Sequence, residues 1–167
     1  MAIALVGGGA RSGKSRYALD LARGRGGPLT FLATARPHDS EMEARIARHR
    51  AERGDEFTTI EEPLEIAGVL REAQAGVIVV DCLTLWLSNV MLTFGRDVDA
   101  DIEAVANAAR HSPASVIMVT NEVGCGIVPE STLGRDFRDR AGVLNQRVAA
   151  AAGEVHWMVF GYPLRVK

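Results

Sequence analysis

Two continuous apolar runs constrain the fold of this chain more than any other feature of its sequence. GVIVVD at 76–81 and SVIMVT at 115–120 are rich in valine and isoleucine and show no alternation of apolar and polar residues. Such runs are typical of parallel strands that helices cover on both faces. We therefore expect both strands to lie inside a mostly parallel sheet.

The remaining pattern predicts strands and helices in alternation along the chain. Further strands are expected at 2–6, 29–34, 57–60 and 155–160, and helices at 13–23, 41–53, 64–73, 84–93, 99–110 and 139–152. Ser40 and Glu43 have the spacing of a capping box at the start of the helix at 41–53. With no linker or repeat, the sequence predicts one α/β domain over residues 1–167, with helices flanking the sheet.

Composition excludes several classes of protein. The chain has 167 residues, 47% of them apolar, and a formal net charge of -2, so we expect a buried core and neither nucleic-acid nor membrane-surface binding. The longest apolar stretch, at 76–87, is interrupted by Asp81 and Thr84 and is too short to span a membrane. Cys82 and Cys125 lie in apolar settings without a C-x-x-C spacing, which predicts buried, reduced thiols in a cytoplasmic protein.

The stretch LVGGGARSGKSRYA at 5–18 joins the first strand to the first helix and contains a Walker A sequence. The backbone amides of such a loop point at phosphate oxygens, and the positive end of the following helix faces the same anion. Lys14 is then expected to reach the β- and γ-phosphates of a nucleotide, and the Ser15 hydroxyl to bind Mg²⁺. A glycine-rich turn without a ligand is disfavoured because a strand and a helix flank the motif, as phosphate binding requires.

Polar residues follow several predicted strands at their carboxyl ends, where ligands bind in parallel sheets. These residues are Gly8–Ser15, Thr34–Arg36, Asp81 and Asn121–Glu122. Asp81 ends the apolar run VIVVD and has the position of a Walker B acid that holds Mg²⁺. An aspartate that caps the next helix is the alternative. The sequence therefore predicts a phosphate and metal site at one edge of the sheet.

His49 lies on the predicted helix at 41–53, with Arg45 and Arg53 one turn to either side. A neutral imidazole is a good nucleophile toward phosphorus, and neighbouring guanidinium groups bind phosphate and disfavour protonation of the ring. From the spacing alone, a surface histidine on a basic helical face is the simpler interpretation. The other three histidines lack arginine neighbours of this kind and are not candidates.

A long polar segment at 120–146 follows the second apolar run. Its candidate binding residues are Asn121, Glu122, Arg135, Arg138, Asp139, Asn145 and Gln146. Segments that carry this many functional groups commonly bind a ligand. A solvated loop and helix with ordinary ion pairs explains the same composition, so the residues alone leave both interpretations open.

Several motifs occur in one order along the chain and together resemble one family. They are GGARSGKS, TA…D-x-EM-x-x-RI-x-x-H, T-x-EEP, DCLTLW-x-x-N and VTNEVG-x-GIVP…R-x-FRD-x-x-G-x-x-NQ. From residue 5 to about residue 161, the chain resembles the bifunctional adenosylcobinamide kinase / adenosylcobinamide-phosphate guanylyltransferase family of cobalamin biosynthesis. The Walker A sequence does not separate this family from other P-loop kinases, whereas TNEVGxGIVP and the EM…RI…H helix do.

The resemblance implies two reactions on one chain. A nucleoside triphosphate, ATP or GTP, phosphorylates the aminopropanol hydroxyl of adenosylcobinamide. GTP then guanylylates a histidine and releases pyrophosphate, and the bound GMP passes to adenosylcobinamide phosphate to give adenosylcobinamide-GDP. The resemblance also implies a RecA-like P-loop fold and a homotrimer.

The resemblance assigns the guanylylated histidine to His49, against the simpler interpretation from spacing. The implied guanine-nucleotide contacts are Gly8, Gly9, Ala10, Arg11, Ser12, Gly13, Lys14, Ser15, Ala33, Thr34, Ala35, Arg50, Ala51, Glu52, Arg53, Glu61 and Asp81. Two positions depart from the family pattern: Phe57 stands where many members have tryptophan, and Arg48 where some have a second histidine.

Two other functions fit the residues without the resemblance. One is a P-loop kinase of a small hydroxylated metabolite, in which His49 has only a structural role. The other is a regulatory module that binds GTP as a switch. Both need the phosphate loop, and neither needs a nucleophilic histidine.

Overall fold

A seven-stranded sheet forms the centre of the computed structural model, which describes residues 2–36, 50 and 53–167. The strands are β1 (Ile3–Gly8), β2 (Leu29–Ala33), β3 (Phe57–Glu61), β4 (Val77–Asp81), β5 (Ser115–Val119), β6 (Glu154–Val159) and β7 (Tyr162–Arg165). Their order across the sheet is β3-β2-β4-β5-β1-β6-β7. Neighbouring strands from β3 to β6 are parallel, and β7 is antiparallel to β6. The predicted mostly parallel sheet is confirmed.

Helices follow the strands and cover both faces of the sheet. They are α1 (Lys14–Arg25), α2 (Ile66–Glu72), α3 (Leu83–Met91), α4 (Val98–His111) and α5 (Thr132–Ala151). In the described part of the chain, α1 packs on one face of the sheet and the other four helices pack on the opposite face. The helices therefore lie in the connections between parallel strands, as in other α/β proteins.

Successive residues of the central strands enter different cores. In β4, Val77 and Val79 pack in the cluster with α1, whereas Ile78 and Val80 pack in the cluster with the other helices. Because both faces are buried, both sets of side chains must be apolar. This explains why the run at 76–81 shows no alternation.

Two segments differ from the expected elements. Helix α5 begins at Thr132 instead of residue 139, because the Ser131 hydroxyl accepts a hydrogen bond from the Gly134 amide at 3.1 Å and caps the first turn. Strand β7 was not expected, since its four residues are all exposed and lack the pattern of a buried strand. The helix predicted at 41–53 lies outside the described residues except for 50 and 53.

The two cysteines have different environments, and both are free thiols. Cys82 is buried as predicted, where β4 meets α3. The prediction that Cys125 is buried is wrong, because this residue lies exposed in the loop between β5 and α5. Its apolar neighbour Ile127 is 98% exposed as well, so local hydrophobicity there does not report a core. No helix in the described part of the chain is both long and apolar enough to cross a membrane.

We predict that the two thiols react at very different rates. Burial, followed by the charge of Asp81, raises the pKa of the Cys82 thiol from 9.0 to about 11. The folded protein therefore binds this proton more tightly than the unfolded chain. The thiol stays protonated, and so unreactive, below pH 9, and this effect declines as the pH rises toward 11. A thiol-reactive chromogen at pH 8 is expected to modify Cys125 rapidly and Cys82 only after denaturation. Rapid modification of both thiols in the native protein would contradict this assignment.

Candidate functional site

The loop between β1 and α1 is built from backbone conformations that favour glycine. Gly8 has φ +150° and Gly13 has φ +90°, both in the region that L side chains rarely adopt. A Cβ on Gly8 would lie 2.9 Å from Ser12 Oγ and 3.1 Å from the carbonyl oxygen of Met158. The loop therefore lies against β6 with no room for a side chain at Gly8, whereas Ala10 and Arg11 are exposed.

The charged ammonium group of Lys14 lies within this loop. Its side chain is buried, and Nζ donates to the Gly9 carbonyl at 2.5 Å and contacts Ser12 Oγ at 3.4 Å. The next residue, Ser15, is half-buried in the first turn of α1. An ammonium group, a hydroxyl and the amino end of a helix thus converge on one loop, which is an arrangement that attracts anions.

The strand order brings the predicted site segments to one edge of the sheet. Strand β5 lies between β1 and β4, with Val119 in register with both Val6 and Asp81. Ala33, at the end of β2, pairs with Asp81 from the other side. Because these strands are parallel, the phosphate loop, Thr34–Arg36, Asp81 and Asn121–Glu122 all follow strand ends at the same edge, as the sequence predicted.

Thr34 is fully buried next to Asp81 and makes four hydrogen bonds to three residues around it. Its amide donates to the Asp81 carbonyl at 3.2 Å. Its hydroxyl donates to the Cys82 carbonyl at 2.8 Å and accepts from the Cys82 amide at 2.9 Å. Its own carbonyl accepts from Asn89 Nδ2 at 2.8 Å. The polar groups of Thr34 are therefore bonded within the protein, under the edge where the site lies.

Four polar residues form a second network behind β5. Thr120 Oγ1 donates to Asn145 Oδ1 at 2.7 Å and lies 3.4 Å from Thr84 Oγ1. The amide of Asn121 donates to Thr84 Oγ1 at 2.8 Å, and its carbonyl accepts from Asn145 Nδ2 at 3.4 Å. Asn145 thus contributes to the position of Asn121, which is one of the candidates from the polar segment. Thr84 and Asn89 were not predicted as functional residues, although both belong to the DCLTLW-x-x-N motif.

The other candidates of the polar segment at 120–146 differ in their surroundings. Arg138 Nη2 donates to the Gly124 carbonyl at 2.9 Å, and Arg135 Nη1 donates to the Pro129 carbonyl at 3.1 Å. Glu122 Oε1 accepts from the Gly124 amide at 2.5 Å. Asp139 and Gln146 are exposed. These contacts stabilise the loop between β5 and α5. Some polar residues of the segment therefore have a structural role within the loop.

Arg53 is the buried arginine of the site region. It is 4% exposed, its guanidinium lies 3.9 Å from the centroid of the Phe31 ring, and Nη1 donates to Thr59 Oγ1 at 3.2 Å. Burial, followed by the charge of Arg50, lowers the pKa of Arg53, and the charges of Asp81 and Glu61 oppose that shift. Arg53 therefore lies within electrostatic reach of Asp81.

Arg50 is exposed, and its Nη2 lies 2.6 Å from Glu61 Oε1. Ala33 and Ala35 are half-buried beside Thr34. Phe57 is buried, with the Arg23 guanidinium 5.6 Å from the centroid of its ring. His49, Ala51 and Glu52 lie outside the described residues, as does Arg48.

The side chains suited to a divalent cation at this edge are those of Ser15 and Asp81. Among the described residues, no three His, Cys, Asp or Glu side chains cluster as metal ligands. A hydroxyl and a carboxylate fit Mg²⁺, which prefers oxygen and usually takes one or two protein ligands together with phosphate oxygens and water. The donor set therefore fits a cation that arrives with a nucleotide.

Comparisons with known proteins identify close relatives in sequence. The profile of the cobinamide kinase / cobinamide phosphate guanyltransferase family matches residues 4–166. The bifunctional adenosylcobalamin biosynthesis protein CobP of Pseudomonas aeruginosa is 45% identical over 166 residues, covering 98% of this chain and 96% of the relative. The corresponding CobU protein of Escherichia coli is 39% identical over 179 residues, covering 98% of both chains.

Comparisons with solved structures support the fold. One solved ATPase domain has a TM-score of 0.51 and 12% sequence identity, covering 93% of this chain and 68% of that one. The P4 protein of bacteriophage phi6, solved in complex with ADP, has a TM-score of 0.50 and 15% identity, covering 98% of this chain and 54% of that one. At these identities the likeness establishes a P-loop ATPase fold and nothing about substrate.

We predict that Gly8→Ala destabilises the protein, whereas Gly9→Ala is tolerated. The methyl group at position 8 meets Ser12 and Met158 in a strained backbone conformation, which costs about 1–3 kcal/mol. A Cβ at Gly9 meets nothing within 4 Å. Urea unfolding of the two variants checks this, with an expected change for Gly9→Ala of no more than about 0.5 kcal/mol. Equal stabilities would show that the loop does not require glycine at position 8.

Proposed function

Since the chain belongs to the cobinamide kinase / cobinamide phosphate guanyltransferase family, we propose that its loop at Gly8–Ser15 binds the triphosphate that both reactions consume. The protein is a bifunctional enzyme of cobalamin biosynthesis that phosphorylates cobinamide and guanylylates cobinamide phosphate. The observation that carries the proposal is the buried Lys14, whose ammonium lies 2.5 Å from the Gly9 carbonyl in a loop that excludes a side chain at Gly8.

In the kinase reaction, the loop amides and Lys14 hold the β- and γ-phosphates of ATP or GTP. The hydroxyl oxygen of adenosylcobinamide attacks the γ-phosphorus, and the bond from that phosphorus to the β-phosphate oxygen breaks. The hydroxyl proton passes to solvent, and a nucleoside diphosphate leaves. Lys14 stabilises the negative charge that develops on the departing diphosphate, since its position in the loop is fixed before the reaction.

In the guanylyltransferase reaction, a ring nitrogen of His49 attacks the α-phosphorus of GTP, and pyrophosphate leaves as the bond to the β-phosphate oxygen breaks. A phosphate oxygen of adenosylcobinamide phosphate then attacks the same phosphorus. The phosphorus–nitrogen bond breaks, which regenerates the imidazole and gives adenosylcobinamide-GDP. Division of the transfer into two steps lowers each barrier, as in other forms of nucleophilic catalysis.

Guanine-nucleotide contacts are also proposed for nine residues beyond the loop, on the ground of family membership. They are Ala33, Thr34, Ala35, Arg50, Ala51, Glu52, Arg53, Glu61 and Asp81. Support comes from the buried Arg53, whose charge is within reach of Asp81 and therefore near the phosphate edge. A guanidinium held there is suited to the charge of a leaving pyrophosphate.

Ser15 and Asp81 would hold Mg²⁺ with the phosphate oxygens. When bound, this ion neutralises phosphate charge and orients the phosphate groups. The exposed carboxylates of Asp20 and Glu56 are not proposed as Mg²⁺ ligands, because both pair with Arg23.

We also propose a homotrimer in the cytoplasm. Several large apolar side chains are exposed in the isolated chain, including Phe94, Ile127, Phe160 and Tyr162, and surfaces of this kind commonly mark contacts with other chains. The comparisons give no support to the two alternatives, a metabolite kinase with one activity and a GTP-dependent switch.

We predict that Lys14→Met weakens triphosphate binding and lowers the rates of both reactions. Methionine keeps the length of the side chain and removes the charge that contacts phosphate, at a cost of about 1.5–3 kcal/mol or roughly a ten- to hundredfold loss of affinity. Titration calorimetry with GTP measures this, and Arg71→Met, which removes an exposed cation from α2, is the control. A normal affinity in Lys14→Met would remove the loop from the site.

We predict that His49→Ala abolishes transfer of GMP to the protein and spares the kinase. Protein incubated with Mg²⁺ and GTP labelled at the α-phosphate is expected to carry a label that survives alkali and is lost in acid, as a phosphoramidate does. His111→Ala is the matched control, because His111 is an exposed histidine on α4. Label on the His49→Ala protein would exclude this residue as the nucleophile. Loss of both activities together would assign it a structural role.

A further inference from the structure

We infer that Thr34 is a positioning residue for Asp81, and that its buried hydroxyl fixes the carboxylate where the divalent cation of the bound nucleotide is held. The inference rests on the proposed function, because Asp81 has this role only if the edge binds a nucleotide with its cation. Thr34 would act through Asp81 and its backbone, without a direct contact of its hydroxyl with the nucleotide.

The first observation is that Thr34 binds the peptide unit that follows Asp81. Its amide donates to the Asp81 carbonyl at 3.2 Å, and its hydroxyl accepts from the Cys82 amide at 2.9 Å. These two bonds hold both polar atoms of the peptide that joins Asp81 to Cys82. The hydroxyl proton is donated to the next carbonyl, that of Cys82, at 2.8 Å. The amide and the hydroxyl of one residue thus fix the backbone at the point where β4 ends.

The second observation is that Asn89 holds Thr34 in turn. Asn89 lies buried on α3, which begins at Leu83, and its Nδ2 donates to the carbonyl oxygens of Thr34 at 2.8 Å and Pro63 at 3.1 Å. The helix that follows Asp81 therefore reaches back to the residue that fixes Asp81. The result is a closed ring of contacts from β4 through α3 to Thr34 and back to β4.

The third observation is burial. Thr34 is 0% exposed, whereas Asp81 is half-buried at the edge. The carboxylate therefore remains accessible to a ligand while the group that fixes its backbone is shielded from water. In water-shielded surroundings an unpaired amide or carbonyl is costly, so loss of the hydroxyl is expected to shift the peptide until these groups find other partners. Such a shift moves the carboxylate of Asp81 with it.

The test measures binding of a cation and does not depend on turnover. Thr34→Val keeps the shape of the side chain and removes the hydroxyl, whereas Thr34→Ser keeps the hydroxyl. Asp81→Asn removes the negative charge of the side chain that is proposed to bind the cation. Each protein is saturated with α,β-methylene-GTP, which cannot transfer GMP, and titrated with Mn²⁺ while electron paramagnetic resonance records the free ion. Titration calorimetry in EDTA measures the nucleotide affinity without a cation, and urea unfolding records the stability of each variant.

We expect Thr34→Val to weaken Mn²⁺ binding by about tenfold, as is typical when a group that orients a metal ligand is lost. Its Mn²⁺ affinity is expected to fall by a larger factor than its nucleotide affinity in EDTA, and Thr34→Ser is expected to bind Mn²⁺ as the wild type does. Asp81→Asn is expected to weaken Mn²⁺ binding at least as strongly as Thr34→Val. This combination would support a role of the hydroxyl through Asp81.

Other results would overturn the inference in distinguishable ways. Normal Mn²⁺ binding in Thr34→Val, with weakened binding in Asp81→Asn, would overturn the role of Thr34 and leave the proposed site intact. Equal losses in the valine and serine variants would show that packing, and not the hydroxyl, matters. Normal Mn²⁺ binding in Asp81→Asn would overturn the inference together with the proposed metal site. If Thr34→Val does not fold, Thr34→Ala replaces it, with the same outcomes.

Discussion

The side-by-side placement of β1, β5 and β4 is the constraint on which the rest of the site depends. The pairing that sets Val6, Val119 and Asp81 in one register fixes how far each strand extends toward the shared edge. A shift of one residue in either pair would turn every side chain of that strand to the other face. Since both faces of these strands are buried against helices, such a shift would also disrupt two cores. The packing of the sheet and the geometry of the edge are therefore coupled.

Buried polar side chains hold the backbone of the residues at this edge of the sheet in place. Thr34 and Asn89 bond the backbone around the end of β4. After β5, Thr84 and Asn145 bond the backbone of Asn121, and Thr120 bonds the side chain of Asn145. All five are buried or half-buried, and all except Thr120 satisfy backbone groups that lie at or beyond the strand ends. The chain thus supports its accessible site residues with a layer of threonine and asparagine side chains, which combine small size with hydrogen-bonding capacity.

Much of the fold follows from patterns that the sequence displays directly. The buried runs at 76–81 and 115–120 predict central strands because both of their faces are apolar, and the glycines before Lys14 predict the loop because a backbone must approach an anion. The start of α5 and the existence of β7 were not predicted, since they depend on a single capping hydroxyl and on pairing with β6. The burial of Cys125 was wrongly expected, because apolar neighbours indicate a core only where tertiary packing covers them. Thr34 and Asn89 show no periodic signal, and only the folded chain reveals that they bond each other and that Thr34 bonds Cys82.

The contact between Lys14 and the Gly9 carbonyl has a consequence for turnover. A buried ammonium needs a hydrogen-bond acceptor at every moment, and the backbone of the loop itself supplies one. In the proposed site, entry of a triphosphate would replace this carbonyl with a phosphate oxygen, and departure of the product would restore it. The two reactions of the family together consume two nucleotides for each cobinamide, so such an exchange would favour fast product release over maximal nucleotide affinity.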